Sequence, residues 1–151
     1  MENYEKLVWE HYLPILEQYH FQFAKMDEDD FFLIGDKFAL NIFIDRMDRR
    51  SDVLYVLLGE DGLVRTFSLI DIMLQRFDEF DSEVFGNPHS YYEQICAYVQ
   101  YDVTGLLRHC HDILSGDTQW LEEYSDKGDI DLSITRFLAP YFKKQGYFVD
   151  I

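Results

Sequence analysis

The chain is poor in positive charge, in cysteine, in proline and glycine, and in long apolar runs. Thirteen lysines and arginines stand against 29 aspartates and glutamates, a net charge of −16. A field of that sign repels phosphate backbones and attracts cations and basic proteins, so direct nucleic-acid binding is not expected. There are only two cysteines. If residues 90–114 form one helix, Cys96 and Cys110 are separated by about 21 Å along its axis, whereas a disulfide needs Cα atoms within about 7 Å. Both are expected as reduced residues of the core. The apolar run "DVLYVLL" falls far below the roughly 20 residues that span a bilayer, so no membrane helix is expected. The opening "MENYEKLVWEHYLPILEQYH" has acids where a secretory signal carries positive charge and has no continuous apolar segment, which points to a cytoplasmic protein. Three prolines and eight glycines never cluster into a linker. With no repeat or low-complexity tract either, residues 1–151 are expected to form a single acidic domain.

The catalytic vocabulary is equally sparse. There is no glycine-rich phosphate loop, no G-x-S-x-G elbow, no H-E-x-x-H and no paired C-x-x-C. His11, His20 and His89 are scattered and name no nucleophile–base pair. The expectation is therefore a protein without catalytic residues, cofactor or metal.

What the chain does have is core material: 48% hydrophobic and 17% aromatic residues over 151 positions, ample for one domain. Leu7, Val8, Tyr12, Ile15, Leu16 and Tyr19 recur at three- and four-residue steps and predict an amphipathic helix over 3–19, bent at Pro14. The pattern then changes to short β-rich runs, "FQFAKM", "DFFLIG", "KFALNIFID", "DVLYVLL" and "LVRTFS", separated by turn residues. Phe38, Leu40, Ile42 and Ile44 place one strictly apolar face on the third run, and "VLYVLL", apolar on both faces, reads as a central strand. Short turns favour an antiparallel meander of about five strands. Ser68 and Asp71 resemble a capping box at the start of a helix over 69–77. Helices over 90–114, 117–126 and 130–145 follow, the last interrupted by Pro140. The fold class is α+β: an N-terminal helix, the meander, then about four C-terminal helices.

"RHCHD", residues 108–112, looks at first like a metal or catalytic constellation. On a helix, however, Cys110 lies at the centre of an apolar stripe that includes Ile95, Val99, Val103 and Leu106. His109 and His111 flank it and diverge by about 200°, too far to share one ion. Only His109 and Asp112 have the spacing that lets side chains meet. Packing is the better reading. "MDEDDFFLIGDK" and "EYSDKGDIDLS" lack the spacing of a calcium loop and read as solvated turns.

The second face of helix 90–114 is more informative. Tyr91, Gln94, Tyr98, Tyr101 and Asp102 lie on it with Gly105 and His109, and tyrosines with polar tips are a protein-recognition composition. The acidic segment 78–83 precedes it with Asp78, Glu79, Asp81 and Glu83 and no base. Together they would form an aromatic, negatively charged patch for a basic protein partner. A neighbouring helix such as 117–126, carrying Trp120 and Tyr124, could instead pack over the tyrosines at Gly105. In general character, as a small acidic α+β domain without a catalytic motif, the chain resembles the immunity proteins that neutralise bacterial toxins. No residue motif carries that likeness, so no family residue is transferred. The function expected is an acidic protein-binding domain, an immunity-type inhibitor of a basic toxin or nuclease. Two alternatives are a small-molecule enzyme or ligand-binding domain with a pocket between sheet and helices, and an adaptor that forms a homodimer through the tyrosine face.

Overall fold

A computed structural model of the chain describes residues 3–123 and 127–151. Helix α1 (Glu5–Tyr19) leads into five consecutive strands: β1 (Gln22–Lys25), β2 (Asp30–Ile34), β3 (Phe38–Asp45), β4 (Arg50–Leu58) and β5 (Val64–Ser68). Helices α2 (Ile70–Arg76), α3 (Tyr91–His109), α4 (His111–Leu114) and α5 (Leu132–Lys144) complete the α+β fold, with 3-10 turns at Asp81–Phe85 and Gln119–Glu123. All neighbouring strands pair antiparallel in sequence order. A sixth strand, β6 (Asp129–Ile130), lies within or beside what the sequence reads as the last helix, and it extends the sheet by pairing with Thr66 and Arg65. The expected helix 117–126 is a 3-10 turn where it is described; its last residues, Tyr124 among them, lie outside the described residues.

The alternation in β3 explains the layering. Phe38, Leu40, Ile42 and Ile44 face α1 and α3 in the larger core, together with Phe31, Leu33 and Tyr55. Their opposite neighbours face α5, where Ala39, Val56, Leu58 and Val64 meet Ile134, Leu138 and Phe142. Each large side chain that α5 buries contributes about 1.5–3 kcal/mol, enough to hold a short helix against a sheet face. Because both faces are covered, the inner strands read as almost continuous apolar runs.

Capping chemistry sets several boundaries. Ser90 Oγ accepts the Glu93 N–H at 3.1 Å while Glu93 Oε2 accepts the His89 N–H at 2.7 Å, a reciprocal start for α3. Asp131 Oδ1 caps α5 by accepting the Ile134 N–H at 2.9 Å. The Ser68/Asp71 box does not form: Leu69 occupies the N-cap of α2 without a side-chain cap bond, and Ser68 Oγ accepts a long contact from the Ile70 N–H, 3.4 Å. Pro140 does not interrupt α5, which runs through it. Its missing N–H would have bonded the carbonyl of exposed Arg136, a position where water can take over.

The largest departure is at Cys110, where the expected helix 90–114 breaks. Cys110 has φ −123° and ψ 36°. Arg76, from α2, donates to the His109 carbonyl at 3.2 Å and clasps Asp112 at 2.7 and 3.0 Å. A guanidinium thus takes the carbonyl that the next helical turn would have used, and α4 starts as a separate short helix at His111. Cys110 remains buried, as the apolar stripe requires, whereas Cys96 is only half buried with its Sγ 3.6 Å from His11 Nε2; both thiols are free.

Candidate functional site

The features expected to form one surface are divided by the fold among three places. In the first, the acidic segment folds back on α3. Asp81, expected as part of a solvated patch, is completely buried. It accepts from Arg108, from the Asp78 N–H at 2.7 Å, and lies 2.9 Å from His109 Nε2. Asp78 is exposed but paired with Arg108 at 3.0 Å, which holds its carboxyl below the usual range. The correction is electrostatic: "DEFDSE" has no base in its own sequence, and α3 brings Arg108 and His109 to it. Glu79 and Glu83 are exposed, and no ion pair among the described residues reaches them. Asp78, Asp81 and His109 could each offer one ligand atom within 4.8 Å of the others, but Arg108 already supplies the positive charge between the two carboxylates. This cluster is a clasp that fastens the 81–85 turn to α3.

Second, the histidines of "RHCHD" go to different partners. His111 Nδ1 lies 2.7 Å from Tyr19 Oη, and its Nε2 lies 3.3 Å from Ser115 Oγ. Serine, histidine and tyrosine in a row invite a nucleophilic reading. Ser115, however, bonds the His111 carbonyl more closely, at 2.6 Å, than it does the ring nitrogen. The row ties α4 to α1. Asp112 meets Arg76 rather than His109.

The third place is a cleft of about 780 Å³ around one half of β4. β3 pairs with β4 as far back as Arg50, but β5 leaves after the Leu54–Ser68 pair. Among the described residues, Arg50–Val53 therefore have a strand on one side only. On the other side Val53 still accepts the Leu69 N–H at 3.4 Å; beyond it the cleft opens. Met73, Phe85, Tyr98 and Tyr101 line it from the helices, and Phe43 lines it from the sheet. At its lip Ile70 and Leu74 are 44% and 66% exposed. Phe85 sits edge-on to Tyr98 with ring centroids 4.8 Å apart and lies 4.9 Å from Tyr101. Phe77 contacts Tyr101 and His109 and fills the space above Gly105. Among the described residues the cover over the tyrosine face is Phe77 and the 81–85 turn; Trp120 packs against Tyr55, and Tyr124 lies outside the described residues.

Polar groups converge on this cleft. Ser51 Oγ donates to Asp102 Oδ2 at 2.6 Å, and both residues are buried, with Asp102 only 4% exposed. Burial pushes the Asp102 carboxyl up to about 8 against the opposing pull of the Ser51 bond, with Asp52 raising it and Arg50 lowering it further. On the other side of the strand Asp30 is pushed up to about 6, again by burial, although Asn41 donates to it at 3.3 Å. Asp52 is raised by burial and lowered by Arg50, whose Nε is 3.4 Å away. Among the described residues that line the cleft, Arg50 is the single base, and no histidine or cysteine is present. A serine bonded to a carboxyl that is largely protonated at neutral pH has no base to activate it. The same carboxyl can take or release a proton when a charged group arrives.

Of the expected site residues, Tyr98, Tyr101 and Asp102 line this cleft, and Gln94 lies half buried on the same helix. Asp102 is a buried wall residue rather than part of an open face. Tyr91 stands apart, exposed, with the Arg49 guanidinium 4.8 Å above its ring. Sequence reasoning missed Asp30, Asn41, Ser51 and Asp52. One signal was available: Asn41 interrupts an otherwise apolar strand and needs partners, which it finds in Asp30 and the Phe31 carbonyl. The chain matches no family model, and no curated protein or solved structure is significantly similar to it.

Proposed function

We propose that this chain is an acidic binding protein that takes a basic protein partner at the cleft around Arg50–Val53. The observation that carries the reading is the cleft itself: aromatic walls, several carboxyls and one guanidinium, ion-paired with Asp52 at 3.4 Å. Recognition surfaces with buried aromatic anchors and charge complementarity have this make-up. The net charge of −16 supplies long-range attraction for a cationic partner. In its most specific form the partner is a basic bacterial toxin or nuclease, and the protein masks it. Tyr98 and Tyr101 belong to this contact surface, and Asp81, being buried, does not.

The test is affinity capture from the native host with the wild type and with Tyr98→Ala/Tyr101→Ala, followed by binding kinetics with the captured protein. Loss of one basic protein from the variant, with retention by the wild type, supports the proposal. Identical captures would count against it. The cleft volume favours a second reading, because about 780 Å³ is within the range of small-molecule sites. A thermal-shift screen in which uncharged small molecules stabilise the wild type, and not the cleft variant, would favour that reading instead.

A further inference from the structure

Asp102 is the most confined carboxyl of the cleft, and the groups around it come from three elements. From β4, Ser51 donates to Oδ2, while Arg50 and Asp52 act at longer range with opposite signs. From α1, the buried Tyr12 hydroxyl is close enough to feel its charge, and from α3 itself Tyr101 is affected in the same way. No hydrogen bond among the described residues reaches Asp102 Oδ1. The 81–85 turn and α2 bring Phe85, Ile70, Met73 and Leu74 to the cleft lining, none of them titratable. A carboxyl with one satisfied oxygen and one open oxygen, set among aromatic rings, is a receptor for a planar cation that can stack while it donates hydrogen bonds.

We propose that Asp102 is a cation-for-proton exchange site: a guanidinium or ammonium group entering the cleft pairs with the Asp102 carboxylate as the carboxyl proton passes to solvent. This rests on the cleft being the binding site and adds the ligand chemistry and its coupling. An arginine or lysine side chain of a partner is the natural source of the group, and arginine fits better because its fork suits a carboxylate and its plane suits Tyr98 and Tyr101. The empty site is neutral at Asp102 below the carboxyl's midpoint near 8, so the isolated protein does not hold an unpaired buried charge at neutral pH.

The exchange has a pH signature that surface attraction does not share. With one proton released, apparent affinity should rise tenfold per pH unit below the midpoint and level off above it, about a ninetyfold gain from pH 6 to pH 9. Asp30, with its midpoint near 6, affects only the lower end; Tyr12 and Tyr101 are both raised above the ordinary tyrosine value and stay neutral.

The experiment uses the whole protein and butylguanidinium as the probe, with butylurea as the uncharged control. Calorimetry from pH 6 to 9 in buffers of different ionisation enthalpy counts protons released, and carbon NMR of the Asp102 carboxyl locates the event. Expected results are release of nearly one proton at pH 7, a shift confined to Asp102, and weak binding of butylurea. Asp102→Asn should lose the rise between pH 7 and 9. Ser51→Ala keeps the carboxyl and serves if the asparagine variant does not fold; it should move the midpoint upward while retaining the slope. Binding of butylguanidinium with no proton release overturns the exchange while leaving the cationic-partner reading standing. Failure to bind at any pH, or equal binding of butylurea, also overturns it. Loss of partner capture on Tyr98→Ala/Tyr101→Ala is a separate result and bears on the function alone.

Discussion

Asp102 should make the protein's stability fall as pH rises, even without a ligand. The perturbation is Asp102→Asn, close in shape and able to keep a bond with Ser51. In the unfolded chain an aspartate titrates near 3.9, whereas in the folded protein burial holds Asp102 at about 8. Below about pH 4 both states are protonated and the residue costs nothing. Between the two values the folded state keeps a proton that the unfolded state has lost, so folding stability declines by up to about 1.4 kcal/mol per pH unit. Well above 8 the whole cost is present, about 5.6 kcal/mol as an upper bound, since any hydration of the carboxylate reduces it. The assay is urea unfolding of wild type and variant at pH 5, 6, 7 and 8. Taking the difference between the two proteins cancels the contribution of Asp30 and other shared groups. From pH 5 to pH 8 the variant should become progressively more stable relative to the wild type, by up to about 3.6 kcal/mol across the series. Parallel stability curves would refute the claim that this carboxyl is buried and protonated.

Asp81→Ala should cost about 3 kcal/mol, because it leaves the Asp78 N–H, Arg108 and His109 without their shared acceptor; a change below about 0.5 kcal/mol in urea unfolding would mean that the clasp does not hold the turn. Gly105→Ala places a methyl group into the Phe77 ring and should cost about 1–3 kcal/mol, much of it recovered in a double variant with Phe77→Ala; purely additive losses would contradict that contact. A bulky thiol reagent should label half-buried Cys96 before Cys110, which is fully buried and pushed up to about 11 by burial; rapid labelling of Cys110 in the native protein would contradict its placement. With a captured basic partner, Tyr98→Ala should speed dissociation, while neutralising Glu79 and Glu83 should slow association chiefly at low salt; unchanged rates in both variants would remove this surface from the site.

Local pattern specified most of the architecture. Strand alternation and helical periodicity depend on neighbours two to four residues apart, so "KFALNIFID" identifies its core face and α1 its apolar stripe without knowledge of their partners. The packing role of Cys110 follows from the same angular arithmetic, whereas His109 and His111 are separated by the break at Cys110, which puts them on different helices. Contacts between distant segments decided the rest. Arg76 breaks the helix at Cys110 from 33 residues before the carbonyl it takes. Arg108 converts Asp81 from a surface acid into a buried one across 27 residues. The two-residue strand at Asp129–Ile130 is too short to have a period and exists through its pairing with β5. Ser51 and Asp102 lie 51 positions apart; helical geometry places Asp102 on α3, but only the docking of α3 on β4 determines whether it meets water or a serine. A side chain's spacing is local information, whereas its dielectric surroundings and charge partners belong to the assembled fold, and those set the chemistry of the cleft.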